Sequence, residues 1–289
     1  MFALKLISRL PFRILYRISD FIFFVLFYVV KYRKKVVCEN LRKSFPEKSE
    51  TEIETIARDF FLNLSDIIVE VIKSLTISEK ELKKRVSIEG EEPLQKLIRE
   101  GKTGIVMSNH LCNWELVPLR SALSEVNSDV IYKPLKSEFF EKFMFTIRSR
   151  FGVFPVPMKM TLREVVRRKN IPRIIGMVAD QVPGIRENAY WTDFLNQDTD
   201  FFMGSERIAR SNNYPVFYGE LSRKKRGFYH LKYHTLIEPP YDHIPPNGIT
   251  ELYVRTLEKS ICQYPSDWLW SHKRFKHTRP ENLVQDHLK

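Results

Sequence analysis

From Gly104 onward, short apolar runs alternate with stretches of helical periodicity, and this narrows the possible folds more than any other feature of the 289 residues. The runs are Gly104 to Ser108, Asp129 to Lys133, Ile174 to Val178, Pro215 to Gly219 and Tyr229 to Thr235. Each is about as long as a buried strand and is bounded by glycine or polar residues. Between them lie helical patterns over 116–124, 137–150, 161–169, 205–211 and 249–262. Strands alternating with helices predict an α/β fold with a central, mostly parallel or mixed sheet covered by helices. Two further helices precede the sheet, Ser49 to Lys73 and Glu92 to Glu100. The first is marked by Ile53, Ile56, Phe60, Leu64 and Ile67 at three- and four-residue steps. No internal repeat, low-complexity tract or linker divides the chain.

The amino terminus differs. Ile14 to Val30 is the most apolar stretch, and its second half, Phe21 to Val30, carries no charge. A bilayer span takes about 20 mostly apolar residues. This segment therefore either spans with snorkelling flanks or lies in the interface. Lys5, Arg9, Arg13 and Arg17 precede or enter it, and Lys31 to Lys35 follow it, in place of the small-residue site of a cleaved signal. Cations so placed suit anionic headgroups, at about 1 kcal/mol each. Residues 1–35 are accordingly read as an N-terminal hydrophobic membrane-anchor helix and 36–289 as one domain. The formal net charge of +12 points the same way, towards an anionic partner. Three widely spaced cysteines, Cys38, Cys112 and Cys262, include no Cys-x-x-Cys pair and suit free thiols in a reducing compartment.

The segment Asn109-His110-Leu111-Cys112-Asn113-Trp114-Glu115 carries the candidate chemistry. His110 directly follows the first buried strand, and functional groups of open α/β sheets gather beyond strand carboxyl ends. On one helix, residues five apart point about 140° from each other. A working His110–Glu115 pair thus needs His110 in the loop and Glu115 on the helix, with Asn113 capping a helix that begins at Trp114. A carboxylate on one imidazole nitrogen fixes the tautomer and raises basicity at the other. The alternative is a capping histidine beside a solvated glutamate. Cys112 reads as a small packing residue, since nothing nearby stabilises a thiolate. His230 and His234 share a strand face without enough further ligands for a metal site. Gly-x-Ser-x-Gly, P-loop and Gly-x-Gly-x-x-Gly patterns are absent.

Taken together and in order, the motifs resemble the late acyltransferases of lipid A biosynthesis, the lauroyl/myristoyl acyltransferase family, within a superfamily that includes lysophospholipid acyltransferases. The resemblance runs from about Phe23 to Arg279. It is carried by Tyr32-Arg33-Lys34, Asn40-Leu41-Arg42 with Ser44-Phe45-Pro46, and the His-x4-Asp/Glu block at His110 and Glu115. Tyr132-Lys133-Pro134-Leu135, Arg148-x-Arg150-Phe151-Gly152, Ala179-Asp180-Gln181 and Asp193-Phe194-Leu195 follow, then Gly204 and Ala209. Pro265, Trp268, Trp270 and Arg274-Phe275-Lys276 close the set. Two positions depart from the family: Lys133 stands where arginine is usual, and Phe194-Leu195-Asn196 where Phe-Phe-Gly is.

The resemblance implies a single acyltransferase domain at the bacterial inner membrane, with the active site facing the cytoplasm or the interface. It implies transfer of an acyl chain from acyl carrier protein to a hydroxyl of a lipid A precursor, with no metal and no cofactor. His110 is expected as general base and Glu115 as its orienting carboxylate. Asn113, Lys133, Arg148, Arg150, Asp180, Gln181 and Arg274 are expected around the substrates. Arg148 and Arg150 would pair with acidic groups or else form a solvated basic helix face. Asp180 would position the acceptor, support the His110 loop, or cap a turn. Trp268 and Trp270 would sit at the membrane interface or in the core. Two alternatives stand beside this reading. One is a relative acylating an amino-acid lipid or a lysophospholipid. The other is a basic nucleic-acid-binding protein, for which no recognised motif is present.

Overall fold

The computed structural model describes residues 1–183 and 189–280, and it opens with four helices: α1 (Phe2–Arg9), α2 (Phe12–Phe24), α3 (Lys34–Ser44) and α4 (Glu50–Lys73). The single apolar helix expected over Ile14 to Val30 takes a different form. Pro11 sets the start of α2, and from Val25 to Val29 the chain winds as a π-helical turn. Among the described residues, no helix is long and apolar enough to cross a membrane.

The polar residues inside that stretch explain how α2 is held. Leu15 is fully buried, and the Ser19 hydroxyl donates to Asp66 of α4 at 2.7 Å. The Tyr16 hydroxyl donates to Glu70 at 2.9 Å. One face of α2 is thus docked along α4. On the other face Phe21 and Phe24, and beyond the helix Tyr28, Val29 and Val30 at the π turn, are each more than half exposed. Ser49 and Glu52 form a reciprocal capping box that starts α4.

The remainder is the α/β body, in chain order α5 (Glu79–Arg85), β1 (Val86–Glu89), α6 (Glu92–Arg99), β2 (Gly104–Ser108), α7 (Leu116–Ala122), β3 (Ser128–Tyr132), α8 (Glu138–Arg148), β4 (Phe154–Pro157), α9 (Thr161–Arg167) and β5 (Ile174–Val178). Then come β6 (Ala189–Phe194), β7 (Gln197–Phe202), α10 (Gly204–Asn212), β8 (Val216–Lys225), β9 (Phe228–Ile237) and α11 (Gly248–Gln263). Seven strands form one sheet in the order β1-β9-β8-β2-β5-β3-β4, and β6 and β7 form a separate hairpin. All neighbours in the sheet run parallel except β8 and β9. The expected mostly parallel, helix-covered sheet is therefore present.

Every residue of β2 is buried, and successive side chains serve opposite faces. Ile105 and Met107 join a core with α3, α4, α10 and α11, whereas Val106 joins another with α6, α7 and α8. The elements not expected from sequence lie at margins. β1 and β4 are the two edge strands, and the Phe-Pro-Val-Pro sequence of β4 is tolerated because an edge needs fewer ladder hydrogen bonds. Leu195 and Asn196 connect β6 to β7 with φ of 51° and 61°. This is the two-positive-φ geometry of a tight hairpin, in which asparagine is the usual substitute for glycine. Asn196 also donates to the Ser44 carbonyl at the end of α3.

Candidate active site

β2 and β5 are adjacent and parallel, with Ser108 paired to Val178. Two residues further, both strands have ended, and that register brings His110 opposite Asp180 across a gap of about 4.8 Å between backbones. The imidazole Nδ1 lies 2.5 Å from Asp180 Oδ1, and the His110 amide donates to Asp180 Oδ2 at 2.8 Å. The Trp268 indole donates to the same Oδ2 at 2.7 Å. Burial alone would push the Asp180 carboxyl up. The adjacent His110 ring, the two His110 hydrogen bonds and the Trp268 indole outweigh it and hold the carboxyl below the ordinary aspartate value. Asp180 is 1% exposed, while His110 keeps a solvent-facing edge beside the Trp114 ring, at 4.7 Å between centroids. The second ring nitrogen, Nε2, faces the Gln181 amide nitrogen at 3.1 Å.

The carboxylate on the imidazole is thus Asp180, and the expected pairing with Glu115 is corrected. Both Glu115 oxygens are held by Arg148, at 2.5 and 2.8 Å, and one also accepts from the Trp114 indole. The helix explains the difference. It starts at Leu116, two residues later than expected, so Glu115 stands at its threshold and turns towards the end of α8. Asn113 is corrected as well. It does not cap the helix; its side chain is fully enclosed and donates to Glu70 at 3.0 Å.

Four further contacts pin the loop. Asn109 donates to the Tyr218 hydroxyl and accepts from the Leu111 amide, the Cys112 amide donates to the Asp267 carbonyl, and Leu111 bridges to Trp268. Cys112 is fully buried with φ of 51°, and burial pushes its thiol well up, so it packs as read from sequence.

The expected substrate-binding residues divide by placement. Gln181 meets the imidazole, and Lys133 is exposed beyond the end of β3. Arg148 is paired with Glu115. Arg150 donates to the Ser74 and Ile77 carbonyls at the end of α4, where a cation complements the helix dipole. Arg274 is 1% exposed and bonded to Asp200. Trp268 and Trp270 are both buried, so the core reading of these two rings holds. His272 was not singled out by sequence. It follows the tryptophans and lines a cavity of about 420 Å³ with Leu26, Tyr32, Leu64 and Ile68. Burial, then the Arg274 charge, pushes its pKa down to about 4. Its position in the Trp-x-Trp-x-His run was the available signal.

The fold is thus an α/β protein with an imidazole held by a buried carboxylate at the carboxyl ends of two central parallel strands. The chain belongs to the bacterial lipid A biosynthesis acyltransferases, whose family profile matches residues 1–277. It is 22% identical over 253 residues to the lipid A biosynthesis palmitoleoyltransferase of Escherichia coli (strain K12), covering 87% of this chain and 81% of that protein. A lipid A biosynthesis acyltransferase of Shigella flexneri matches with the same identity and coverage. The crystal structure of the 1-acyl-sn-glycerophosphate acyltransferase of Thermotoga maritima superposes with a TM-score of 0.40 at 15% identity, covering 88% of this chain and 96% of that one.

Proposed function

We propose that the protein transfers an acyl chain from acyl carrier protein to a hydroxyl of a lipid A precursor at the cytoplasmic face of a bacterial inner membrane, with His110 as general base and Asp180 as its positioning carboxylate. The observation that carries this is the His110–Asp180 pair. With Nδ1–H donated to Asp180, Nε2 carries the lone pair that accepts the proton of an acceptor hydroxyl once that hydroxyl replaces the Gln181 amide. The hydroxyl oxygen attacks the thioester carbonyl carbon. The new C–O bond forms as the C–S bond breaks, and the proton held on Nε2 passes to the leaving thiolate. The Gln181 amide occupies the Nε2 side, so an incoming hydroxyl displaces it. Lys133, exposed at the same strand-end edge, is suited to an anionic group of the acceptor.

Residues 1–35 act as an anchor by lying on the bilayer. The exposed face of α2 and the π turn enters the headgroup boundary, with Arg13, Arg17, Lys31 and Lys35 beside it.

The test is mass spectrometry of the product formed by the purified protein from acyl carrier protein thioester and lipid A precursor. The reading expects one added acyl chain and none with His110→Ala. Acylation of a lysophospholipid or an amino-acid lipid in place of the precursor would replace the acceptor.

A further inference from the structure

Glu70, in α4, is 4% exposed and takes no part in the chemistry above, yet three separate parts of the protein converge on it. The Tyr16 hydroxyl from α2 donates to Oε1 at 2.9 Å. The Asn113 amide from the His110 loop and the Tyr229 hydroxyl from β9 donate to Oε2, at 3.0 and 2.7 Å. One turn earlier, Asp66 receives Ser19 of α2 and Arg223 of β8. Arg223 also faces Asp267, whose carbonyl holds the Cys112 amide. Burial pushes the Glu70 carboxyl up, while the Arg223 charge and the Asn113 and Tyr229 hydrogen bonds act against it. A buried carboxylate with three donors around it is costly to remove, because each donor is then left without its partner.

We propose that Glu70 is a positioning residue for His110: through Asn113 it holds the catalytic loop in register, and through Tyr16 it ties that register to the seating of α2. Asn113 lies three residues from His110 in a loop that already carries the positive-φ Cys112. Such a loop relaxes when a tie is cut, and a misplacement of about 1 Å at a reacting group lowers turnover by about 10²-fold. The face of α2 opposite Tyr16 and Ser19 is the exposed apolar face, so that helix is linked to the loop through two hydrogen bonds that share the Glu70 carboxylate. The activity readout rests on the proposed acyl transfer, whereas the exchange readout does not.

The test measures amide hydrogen exchange over 109–115 together with steady-state kinetics, for Glu70→Ala, Glu70→Gln, Tyr16→Phe and Asn113→Ala. The expected result is faster exchange confined to 109–115 in Glu70→Ala, with kcat lower by about 10- to 100-fold and KM for both substrates unchanged. Glu70→Gln, which keeps acceptor oxygen towards Asn113 and Tyr229, recovers most of the loss. Tyr16→Phe and Asn113→Ala each give a smaller loss, and together less than the product of the two. These last two variants carry the test if Glu70→Ala does not fold. Wild-type exchange over 109–115 in the variants overturns the proposal, whatever the activity. Exchange accelerated equally across the whole sheet also overturns it, since that is loss of stability without positioning. A wild-type protein inactive on both substrates counts against the acyl-transfer reading alone, because the exchange result stands by itself.

Discussion

Two carboxylates flank the His110 loop, and their partners separate their roles. Asp180 holds the imidazole, and Glu115 holds Arg148. On the proposed mechanism, His110→Ala lowers turnover by about 10²–10⁴-fold, the range general-base catalysis supplies. Asp180→Asn lowers kcat by a similar order with the fold retained, because the amide favours the wrong tautomer. Glu115→Gln acts mainly on stability, at a cost of about 3 kcal/mol, since the largely buried Arg148 loses its counter-charge. Denaturant unfolding and initial rates on the three variants check this. An Asp180→Asn enzyme with near-normal turnover beside an inactive, stable Glu115→Gln enzyme would return the imidazole to Glu115. His272 gives a pH prediction. Its folded pKa, about 4, lies below the unfolded value of about 6.5, so the unfolded chain binds more protons between them. Its contribution is therefore fully present above about pH 6.5 and is lost as pH falls towards 4. Unfolding free energies measured across that window decline with falling pH, and less steeply in His272→Gln; equal slopes would discard the assignment.

Among the elements, the tip of the β8–β9 hairpin adds a polar tie to α2 beside the packing of that helix on α4. Its tip, Arg226-Gly227, reaches the α2–α4 junction, where Arg226 pairs with Asp20 of α2 and Asp66 of α4. Gly227 has φ of 73°, and a Cβ there would lie 1.8 Å from the Tyr16 hydroxyl oxygen. Gly227→Ala therefore combines backbone strain with a collision against α2, and a loss of about 2–3 kcal/mol is expected. Thermal unfolding measures it, and a change below about 0.5 kcal/mol would mean that α2 yields freely. The β6–β7 turn shows the opposite case. Asn196 meets the positive φ without glycine and docks on α3, so the family departure at this position is accommodated by turn chemistry.

For the molecule as a whole, the amino-terminal helices and the site form one connected unit. α2 is docked through buried polar contacts, and its outward face is apolar and flanked by cations. Each large apolar side chain moved from water into lipid contributes about 1.5–3 kcal/mol. Phe21→Ser with Phe24→Ser should therefore weaken binding to anionic vesicles by at least about tenfold, with the fold unchanged. Vesicle co-sedimentation measures this, and undiminished binding would move the lipid contact to another face.

Periodicity alone was enough for β2, β3 and β5, the helices α7, α8 and α9 between them and the position of His110 at a strand end, whereas the Pro-containing edge strand β4 escaped it. Those depend on local alternation of apolar and polar residues, which a linear sequence carries in full. The short spacing and the family resemblance together placed Glu115 on the imidazole, and Asp180 entered only with three roles left open, one of them support of the His110 loop. The partner is 70 residues away. Asp180 meets His110 because β5 pairs beside β2, with β3 and β4 intervening in the chain and lying beyond β5 in the sheet. Strand adjacency is a property of how the whole sheet buries its faces, so no local pattern encodes it. The amino terminus follows the same division. Its apolar character and flanking cations were evident from the sequence, but nothing local said what Tyr16 and Ser19 would meet. Folding turned Ser19 and Tyr16 into the contacts that dock α2, because Asp66 and Glu70 of α4 needed buried donors and only the tertiary structure brings the two helices together.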